Sequence, residues 1–235
     1  MRRGTSAVEL AATLAPPLTA IMPLRRAFMP GLAGVGRAGH VALTFDDGPD
    51  RRSTPSILRI LDEYGVRATF FLLGSMLDAD PQLGRELVDK GHEVAVHGWH
   101  HRCLLRRGPV ATDHDIARAR RLVAAVTGRD PRWYRPPYGV FTLAALRTCR
   151  RLSLTPVLWT AWGRDWEAGA TPDSIVRTVT RRLSGGGTVL LHDTDITSAP
   201  GSWRRTADAL PVLLDWARQR GLSVGPLAEH PAVPR

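Results

Sequence analysis

Apolar and polar residues alternate with two different periods between residues 40 and 225. Short apolar runs between Gly, Pro or polar residues predict buried strands, and longer stretches with apolar side chains three or four residues apart predict amphipathic helices. The predicted strands are 40–46, 67–73, 92–96, 132–135, 154–159, 187–192 and a short one near 222–225. The predicted helices are 54–64, 80–90, 112–127, 141–151, 172–183 and 203–219. This alternation predicts an α/β fold with a parallel sheet, either closed into a barrel or open and doubly wound.

Polar side chains gather where the predicted strands end. These side chains are Asp46, Asp47, His97, Arg135 and His192. In a barrel of parallel strands, the carboxyl ends of the strands form the catalytic face. No Gly-x-Gly-x-x-Gly motif follows the first strand, and its absence counts against a dinucleotide-binding fold.

The first strand runs into the sequence Thr44-Phe45-Asp46-Asp47-Gly48-Pro49-Asp50. Neighbouring side chains of a strand point to opposite faces, but a turn breaks that alternation and lets both carboxylates reach one pocket. One carboxylate could then bind a metal while the other acts as a base. The competing interpretation is an ordinary Asp-Gly-Pro turn with no chemical role.

A histidine-rich sequence, His97-Gly98-Trp99-His100-His101, follows the third predicted strand. Two histidines four residues apart share one face of a helical turn, so His97 and His101 could meet one divalent metal. Asp47 could add an oxygen ligand, which would give three protein ligands and an open position, as in catalytic zinc sites. A spacing of three leaves His100 as an alternative ligand, and a loop that is merely rich in histidine is the competing interpretation.

Two later strand ends carry further candidate groups. Arg135 precedes the rigid segment 136–139, where it could pair bidentately with a carboxylate and keep it ionised. His192 is a candidate general acid, although a single histidine at a strand end is also commonly structural. The stretch between them adds aromatic rings that could line a sugar-sized groove or fill the core: Trp159, Trp162 and Trp166.

Taken in order, these motifs resemble those of the polysaccharide deacetylase family, the NodB homology domain of carbohydrate esterase family four. The resemblance covers about residues 39–225, and the first motif is highly specific. It implies a distorted, incomplete (β/α)7 barrel. It also implies a hydrolase that removes N-acetyl groups from the amino sugars of a polysaccharide, glycan or glycolipid. Two alternatives stay open, a hydrolase of the same fold acting on a small amide or cyclic imide and a non-catalytic glycan-binding module.

The resemblance also assigns roles to individual residues. It implies one divalent metal, most often Zn2+ with Co2+, Ni2+ or Mn2+ as alternatives, bound by Asp47, His97 and His101. It implies that Asp46 is the base, that Arg135 holds it, that His192 is the acid and that Asp165 tunes the acid. The residues implied to contact substrate are Tyr138, through its backbone amide, and Trp166 and Leu190, which would line the acetyl pocket.

Two positions depart from the family pattern. Gly98 stands where the family often has Ser or Thr, whose hydroxyl supports the metal-binding loop, and we expect its loss to cost little. Trp162 stands where the family often has an aspartate, three residues before Asp165. That change would make the groove more apolar, and it bears on the substrate more than on the chemistry.

Amino-acid composition says less about function than these motifs do. The net charge of +10 comes almost entirely from scattered arginines, because Lys90 is the only lysine. The sequence has no basic tract with interleaved aromatics, so nucleic acid is not an expected partner. The partner that the resemblance implies is an acetylated carbohydrate, with a small amide as the alternative. Cys103 and Cys149 are expected to be free thiols, which weakly favours a reducing compartment.

The sequence predicts two parts. Residues 1–38 form an apolar, arginine-flanked extension, and residues 39–235 form the catalytic domain. Glu9 and Pro16-Pro17 interrupt the apolar stretch from Ala7 to Leu24, so neither a spanning helix nor a signal peptide fits well. We expect it to dock on the domain, with peripheral membrane contact as the alternative. A cytoplasmic or membrane-associated location is favoured over secretion. Oligomeric state has no signal in the sequence.

Overall fold

The computed structural model describes residues 22–230. Eight strands in this part of the chain form one sheet in which every pairing is parallel. They are β1 His40–Asp46, β2 Thr69–Leu72, β3 Glu93–Val96, β4 Trp133–Tyr134, β5 Thr155–Pro156, β6 Ala161–Trp162, β7 Thr188–His192 and β8 Ser223–Gly225. The order is β5-β4-β3-β2-β1-β7-β6, with β8 also paired to β1.

Eight α-helices in the same residues connect these strands. They are α1 Met22–Phe28, α2 Thr54–Tyr64, α3 Gly74–Ala79, α4 Pro81–Asp89, α5 Pro109–Thr127, α6 Leu143–Arg151, α7 Pro172–Thr180 and α8 Ser202–Gln219. The alternating order and the parallel sheet confirm the predicted class, an incomplete (β/α)7 barrel.

Strand β1 lies at the centre of the sheet and is buried along its whole length. Phe45 stacks on Phe70 of β2 with ring centroids 5.1 Å apart, and α2 covers this face with Ile57 and Leu61. Each such side chain contributes about 1.5–3 kcal/mol when fully buried, so the strand is firmly anchored. In the register of β1 and β7, Asp46 is paired with His192. The core thus fixes the position of the polar residues at the carboxyl ends.

The predicted elements match the observed ones with four exceptions, the first of which is α1, for which no helix bounds were predicted. The predicted strand 154–159 is too long, because β5 covers only Thr155–Pro156, and the separate strand β6, which begins at Ala161 after the chain has changed neighbours, was not predicted. Helix α3 was not predicted, since six residues are too few to show a helical period. Helix α5 begins at Pro109, earlier than predicted, because proline suits the first helical turn.

The start of the described chain packs on the barrel. The apolar stretch expected to dock lies mostly outside the described residues, but α1 and residues 29–38 contact the domain through side-chain and backbone hydrogen bonds. Between residues 22 and 230, no helix combines the length and the apolar character needed to cross a bilayer. Cys103 and Cys149 are free, as predicted, and burial raises the pKa of Cys149 to about 12.

Candidate active site

The two adjacent carboxylates at the end of β1 reach one cavity. Asp47 has a φ of 81°, in the left-handed region, so the strand alternation ends at this residue. The cavity has a volume of about 260 Å³. Its lining consists of Asp46, Asp47, His97, His101, Pro136, Tyr138, Gly139, Trp159, Trp166, Leu190, His192, Thr197 and Ser198. All but two of the residues expected at the site line this cavity, and those two, Arg135 and Asp165, lie behind it.

Asp47, His97 and His101 form a candidate cation site. The distances from Asp47 Oδ1 to the Nε2 atoms of His97 and His101 are 3.2 and 3.5 Å, and the three ligand atoms lie within 4.8 Å of one another. His97 Nδ1 donates to the Arg135 carbonyl at 2.8 Å, so its Nε2 lone pair faces the carboxylate. Asp47 Oδ1 is buried and has no hydrogen-bond partner among the described residues. This donor set fits a divalent metal such as zinc.

A loop, and not a helical turn, brings His97 and His101 together. Residues 97–101 have no helical structure, and Gly98 adopts a φ of 98°. His100 is exposed and lies outside the cluster. Asp115 of α5 supports the loop by accepting the backbone N–H of Trp99 at 2.8 Å. A Cβ atom on residue 98 would lie 2.9 Å from Asp115 Oδ2. Glycine at this position therefore lets the Asp115 carboxylate approach the loop backbone.

The charges of the cluster suit a cation. Burial by itself would raise the pKa of Asp47, but the interactions with His97 and with the nearby His192 and His101 hold that pKa well below the usual value. Burial lowers the pKa of His101, against the opposing effect of Asp47. At neutral pH the cluster therefore presents an ionised carboxylate and a neutral imidazole on His101, which are the forms that bind metals.

Asp46 is held by a buried arginine. Arg135 Nη1 donates to Asp46 Oδ1 at 2.6 Å and to Thr44 Oγ1 at 2.8 Å. The arginine is fully buried, and its guanidinium lies 4.0 Å from the ring centroid of Phe71. Burial lowers the pKa of Arg135, and its pairing with Asp46 opposes that effect. The second oxygen of Asp46, 3.8 Å from His97 Nε2, faces the candidate cation site.

His192 is paired with Asp165 in the same way that Asp46 is paired with Arg135. His192 Nδ1 lies 3.1 Å from Asp165 Oδ1, and the His192 backbone N–H donates to Asp165 Oδ2 at 2.8 Å. Burial would lower the pKa of His192, but the charge and hydrogen bond of Asp165, followed by the charges of Asp47 and Asp46, raise it to about 10. A protonated His192 keeps its Nε2–H as the donor available to the cavity.

The residues expected to contact substrate form the walls. Tyr138 has a φ of 61°, is 62% exposed, and its ring packs on His101 with centroids 4.5 Å apart. Trp166 meets the His192 ring edge-on at 5.5 Å, and Leu190 lines the cavity from β7. Trp162 packs on Trp159, with ring centroids 6.3 Å apart, and lies beside the cavity.

Some supporting residues were not predicted from the sequence. Thr197 donates its hydroxyl to Asp47 Oδ2, which leaves Oδ1 for a cation. Thr206 of α8 donates to Asp165 Oδ2 at 2.9 Å. Asp115 holds the histidine loop. No pattern marks these residues, because each acts through a contact between chain segments that are distant in sequence.

The fold and the site together define a barrel hydrolase with an arginine-paired carboxylate and an aspartate-paired histidine beside a candidate cation site. The chain belongs to the polysaccharide deacetylase family, whose model matches residues 33–157.

Three known proteins illustrate this membership. A chitooligosaccharide deacetylase of Bradyrhizobium sp. (strain ANU 289) is 36% identical over 200 residues, covering 80% of this chain and 89% of that protein. A solved peptidoglycan N-acetylglucosamine deacetylase, in complex with 4-naphthalen-1-yl-N-oxidanyl-benzamide, superposes with a TM-score of 0.78 at 28% identity, covering 84% of this chain and 91% of that one. A carbohydrate esterase family four pseudoenzyme from Bacillus anthracis superposes with a TM-score of 0.75 at 26% identity, covering 84% and 68%.

Proposed function

We propose that this protein is a metal-dependent deacetylase that hydrolyses the N-acetyl group of amino sugars in a glycan. The observation that carries the proposal is the convergence of the Asp46 carboxylate, the His192 imidazole and three metal-type ligands on one cavity. Likeness to a pseudoenzyme does not weaken it, because this chain keeps every one of these groups.

Asp47, His97 and His101 would hold the metal. A divalent cation bound there would polarise the acetyl carbonyl and lower the pKa of water to about 7. Asp46 takes the proton from the attacking water, since Arg135 holds one of its oxygens and leaves the other facing the cavity. A developing oxyanion would need a donor nearby, and the Tyr138 backbone amide, in the tight turn 137–139, is our candidate.

His192 supplies the proton for the leaving group. An amine leaves poorly as an anion, so hydrolysis of an amide requires a general acid. Asp165 orients the imidazole through Nδ1 and favours its charged form. His192 and Asp46 are register partners on adjacent strands, so acid and base flank the same reacting group.

The cavity suits a small acyl group carried by a sugar. A volume of about 260 Å³ holds an acetamido group with part of one sugar ring, and its aromatic walls offer flat faces for that ring. Relatives named for chitooligosaccharide and for peptidoglycan N-acetylglucosamine support N-acetylglucosamine as the sugar. We therefore propose oligomers of N-acetylglucosamine, or the glycan strands of peptidoglycan, as the substrate class.

The test is acetate release by protein reconstituted with Zn2+, Co2+ or Mn2+. The substrates are acetylated chitooligosaccharides, peptidoglycan fragments and a set of small amides and imides. We expect release from the N-acetyl sugars and only with metal present. If the protein hydrolyses only the small amides or imides, its substrate is a non-sugar C–N bond and not an N-acetyl sugar. Metal-loaded protein that binds glycans without releasing acetate would instead indicate a binding module.

A further inference from the structure

The segment between β5 and β6 joins two sides of the barrel. Val157 N–H donates to the carbonyl of Tyr134 in β4, and Thr160 N–H donates to the carbonyl of Thr188 in β7, both at 3.0 Å. The chain thus changes its strand neighbour within residues 157–160. Leu158 N–H, between these two, donates at 2.8 Å to the carbonyl of Leu32. A residue from the N-terminal part of the chain completes the pairing at this crossover.

Residues 29–36 lie along the same crossover. Gly34 accepts a hydrogen bond of 2.6 Å from the Thr188 hydroxyl, and Gly36 N–H donates to the Gly186 carbonyl at 2.9 Å. Ala33 is fully buried. Gly34 has a φ of 72°, and a Cβ atom there would lie 2.7 Å from Thr188 Oγ1, so the close approach requires glycine. The segment is packed as tightly as a part of the barrel.

Arg25 of α1 connects this segment to the candidate active site. Its side chain is only 4% exposed, and Nη2 donates to the Trp159 carbonyl at 2.7 Å. Arg135, which holds Asp46, donates to the preceding carbonyl, that of Leu158, at 3.0 Å. The two guanidinium groups lie 5.9 and 5.6 Å from the Trp159 ring centroid. Burial, and secondarily the charge of Arg135, lower the pKa of Arg25 to about 10, so it stays charged at neutral pH.

Trp159 is a wall of the cavity. Its ring lies so close to Gly139 that a Cβ atom on that residue would be 2.5 Å from the indole. The ring therefore sets the spacing between this wall and the turn that carries Tyr138. Its Nε1–H is buried and donates to no acceptor within the described residues.

We propose that Arg25 is a positioning residue for Trp159, and that α1 with residues 29–36 completes the sugar-binding wall of the active site. The proposal rests on the proposed function for the identity of the ligand. Arg25 fixes the backbone carbonyl and flanks the ring, so the indole keeps one orientation against the glycan. The N-terminal segment thereby determines how well a glycan binds, while the reacting groups and the metal ligands stay as they are.

The experiment compares Arg25→Ala with Arg26→Ala, a matched control on the same helix. For a chitooligosaccharide we expect Arg25→Ala to raise KM about tenfold, the effect of losing a charge-assisted hydrogen bond. The value of kcat should change less than threefold, and zinc affinity by calorimetry should stay unchanged. Arg26→Ala should resemble the wild type. Arg25→Lys keeps a charged donor and should recover part of the loss.

Two further measurements make the result specific to Trp159. In a Trp159→Phe background, Arg25→Ala should raise KM much less than in the wild type, because the positioned indole is gone. Amide hydrogen exchange of residues 157–160 should accelerate in Arg25→Ala and not in Arg26→Ala. Arg25→Gln, which keeps a neutral donor, replaces Arg25→Ala if the latter does not fold.

The outcomes separate this proposal from the proposed function. Equal KM values for the Arg25 and Arg26 variants, or the same increase with and without Trp159, would overturn the positioning role. Exchange at 157–160 that is identical in both variants would overturn it as well. If the wild type releases no acetate from any glycan but exchange still accelerates only in Arg25→Ala, the positioning of Trp159 stands and the proposed substrate falls.

Discussion

Two histidine pairs of similar geometry lie at opposite ends of the central strand. At the carboxyl end of β1, His97 and His101 have ring centroids 5.5 Å apart and an interplanar angle of 38°. At the amino end, His40 and His230 have centroids 4.9 Å apart and the same interplanar angle. His97 is 2% exposed, and both members of the other pair are buried, His40 at 1% and His230 at 4% exposure. By spacing and burial alone, the two pairs are hard to tell apart.

The atoms that the ring nitrogens face make the difference. His230 Nε2 donates to the Gly186 carbonyl at 3.1 Å, so its Nδ1 accepts from His40 Nδ1 at 2.8 Å. His40 Nε2 has no hydrogen-bond partner among the described residues, but no carboxylate there joins the pair in a cluster of three metal-type ligands. His97 and His101 instead face a buried carboxylate oxygen that has no partner in the described chain. A histidine pair becomes a candidate metal site when a third, negatively charged ligand is left without a partner.

The largest effect should follow removal of the metal ligands. The double variant His97→Ala, His101→Ala should lose both metal and acetate release, because only Asp47 remains as a ligand. The matched variant, His40→Ala with His230→Ala, should keep its metal content while losing thermal stability. Metal analysis and acetate assays of both proteins check this. Full metal occupancy without His97 and His101 would move the site elsewhere.

The next largest effect should distinguish the roles of the adjacent carboxylates Asp46 and Asp47. Asp46→Asn should keep the metal and lose about 10²–10⁴ in kcat, the usual range for a general base. Asp47→Asn should weaken metal binding first, because the ligand oxygen changes its charge. Calorimetric zinc titrations beside steady-state kinetics distinguish the two. Equal loss of metal in both variants would show that our division of roles is wrong.

A smaller change is expected in the pH profile. His192 must be protonated to act as the acid, so activity falls as pH rises through its pKa. Asp165 raises that pKa, and Asp165→Asn should therefore move the basic limb of the kcat profile to lower pH. The acidic limb, which we assign to Asp46, should stay in place. If the basic limb of Asp165→Asn stays where it is in the wild type, His192 is not the general acid.

The smallest effect concerns acid stability at the other histidine pair. Burial, then the charges of His230 and Arg37, lower the pKa of His40 to about 4. The folded state disfavours the added proton, so this contribution is complete above about pH 6.5 and is lost as pH falls toward 4. We expect a loss of about 3 kcal/mol in unfolding free energy from His40 over this range.

Denaturant unfolding of the wild type and His40→Phe checks that expectation. The stability difference between the two proteins should shrink between pH 7 and pH 4.5, because the variant has no group to titrate at this position. A difference that stays constant over this range would show that the His40–His230 pair is not buried in its neutral form.

Hydrophobic periodicity and strand-end motifs predicted most of the fold and the members of the candidate site. Helix α2 and strand β1 fall on their predicted bounds, because both have strong periods and clear end signals. Residues 97–101 were wrongly assigned a helical turn, since a spacing of four also fits a loop around Gly98. The predicted strand 154–159 is longer than β5 and misses β6, because the change of neighbour at 157–160 depends on tertiary pairing.

What the sequence did not predict lies in contacts between distant segments. Thr197 on Asp47 and Thr206 on Asp165 have no local signature, and Arg25 resembles any other arginine of this arginine-rich chain. The His40–His230 pair joins residues that are 190 positions apart. No periodic pattern records such pairs, because each depends on how the strands are ordered in the sheet.

The most direct test of the central claim is to locate the metal itself. We propose crystals of zinc-dialysed protein with anomalous data on both sides of the zinc absorption edge. We expect one strong peak per chain, bonded to Asp47 Oδ1, His97 Nε2 and His101 Nε2, and none at His40 and His230. A peak at the His40–His230 pair, or no peak near Asp47 in protein that contains zinc, would contradict it.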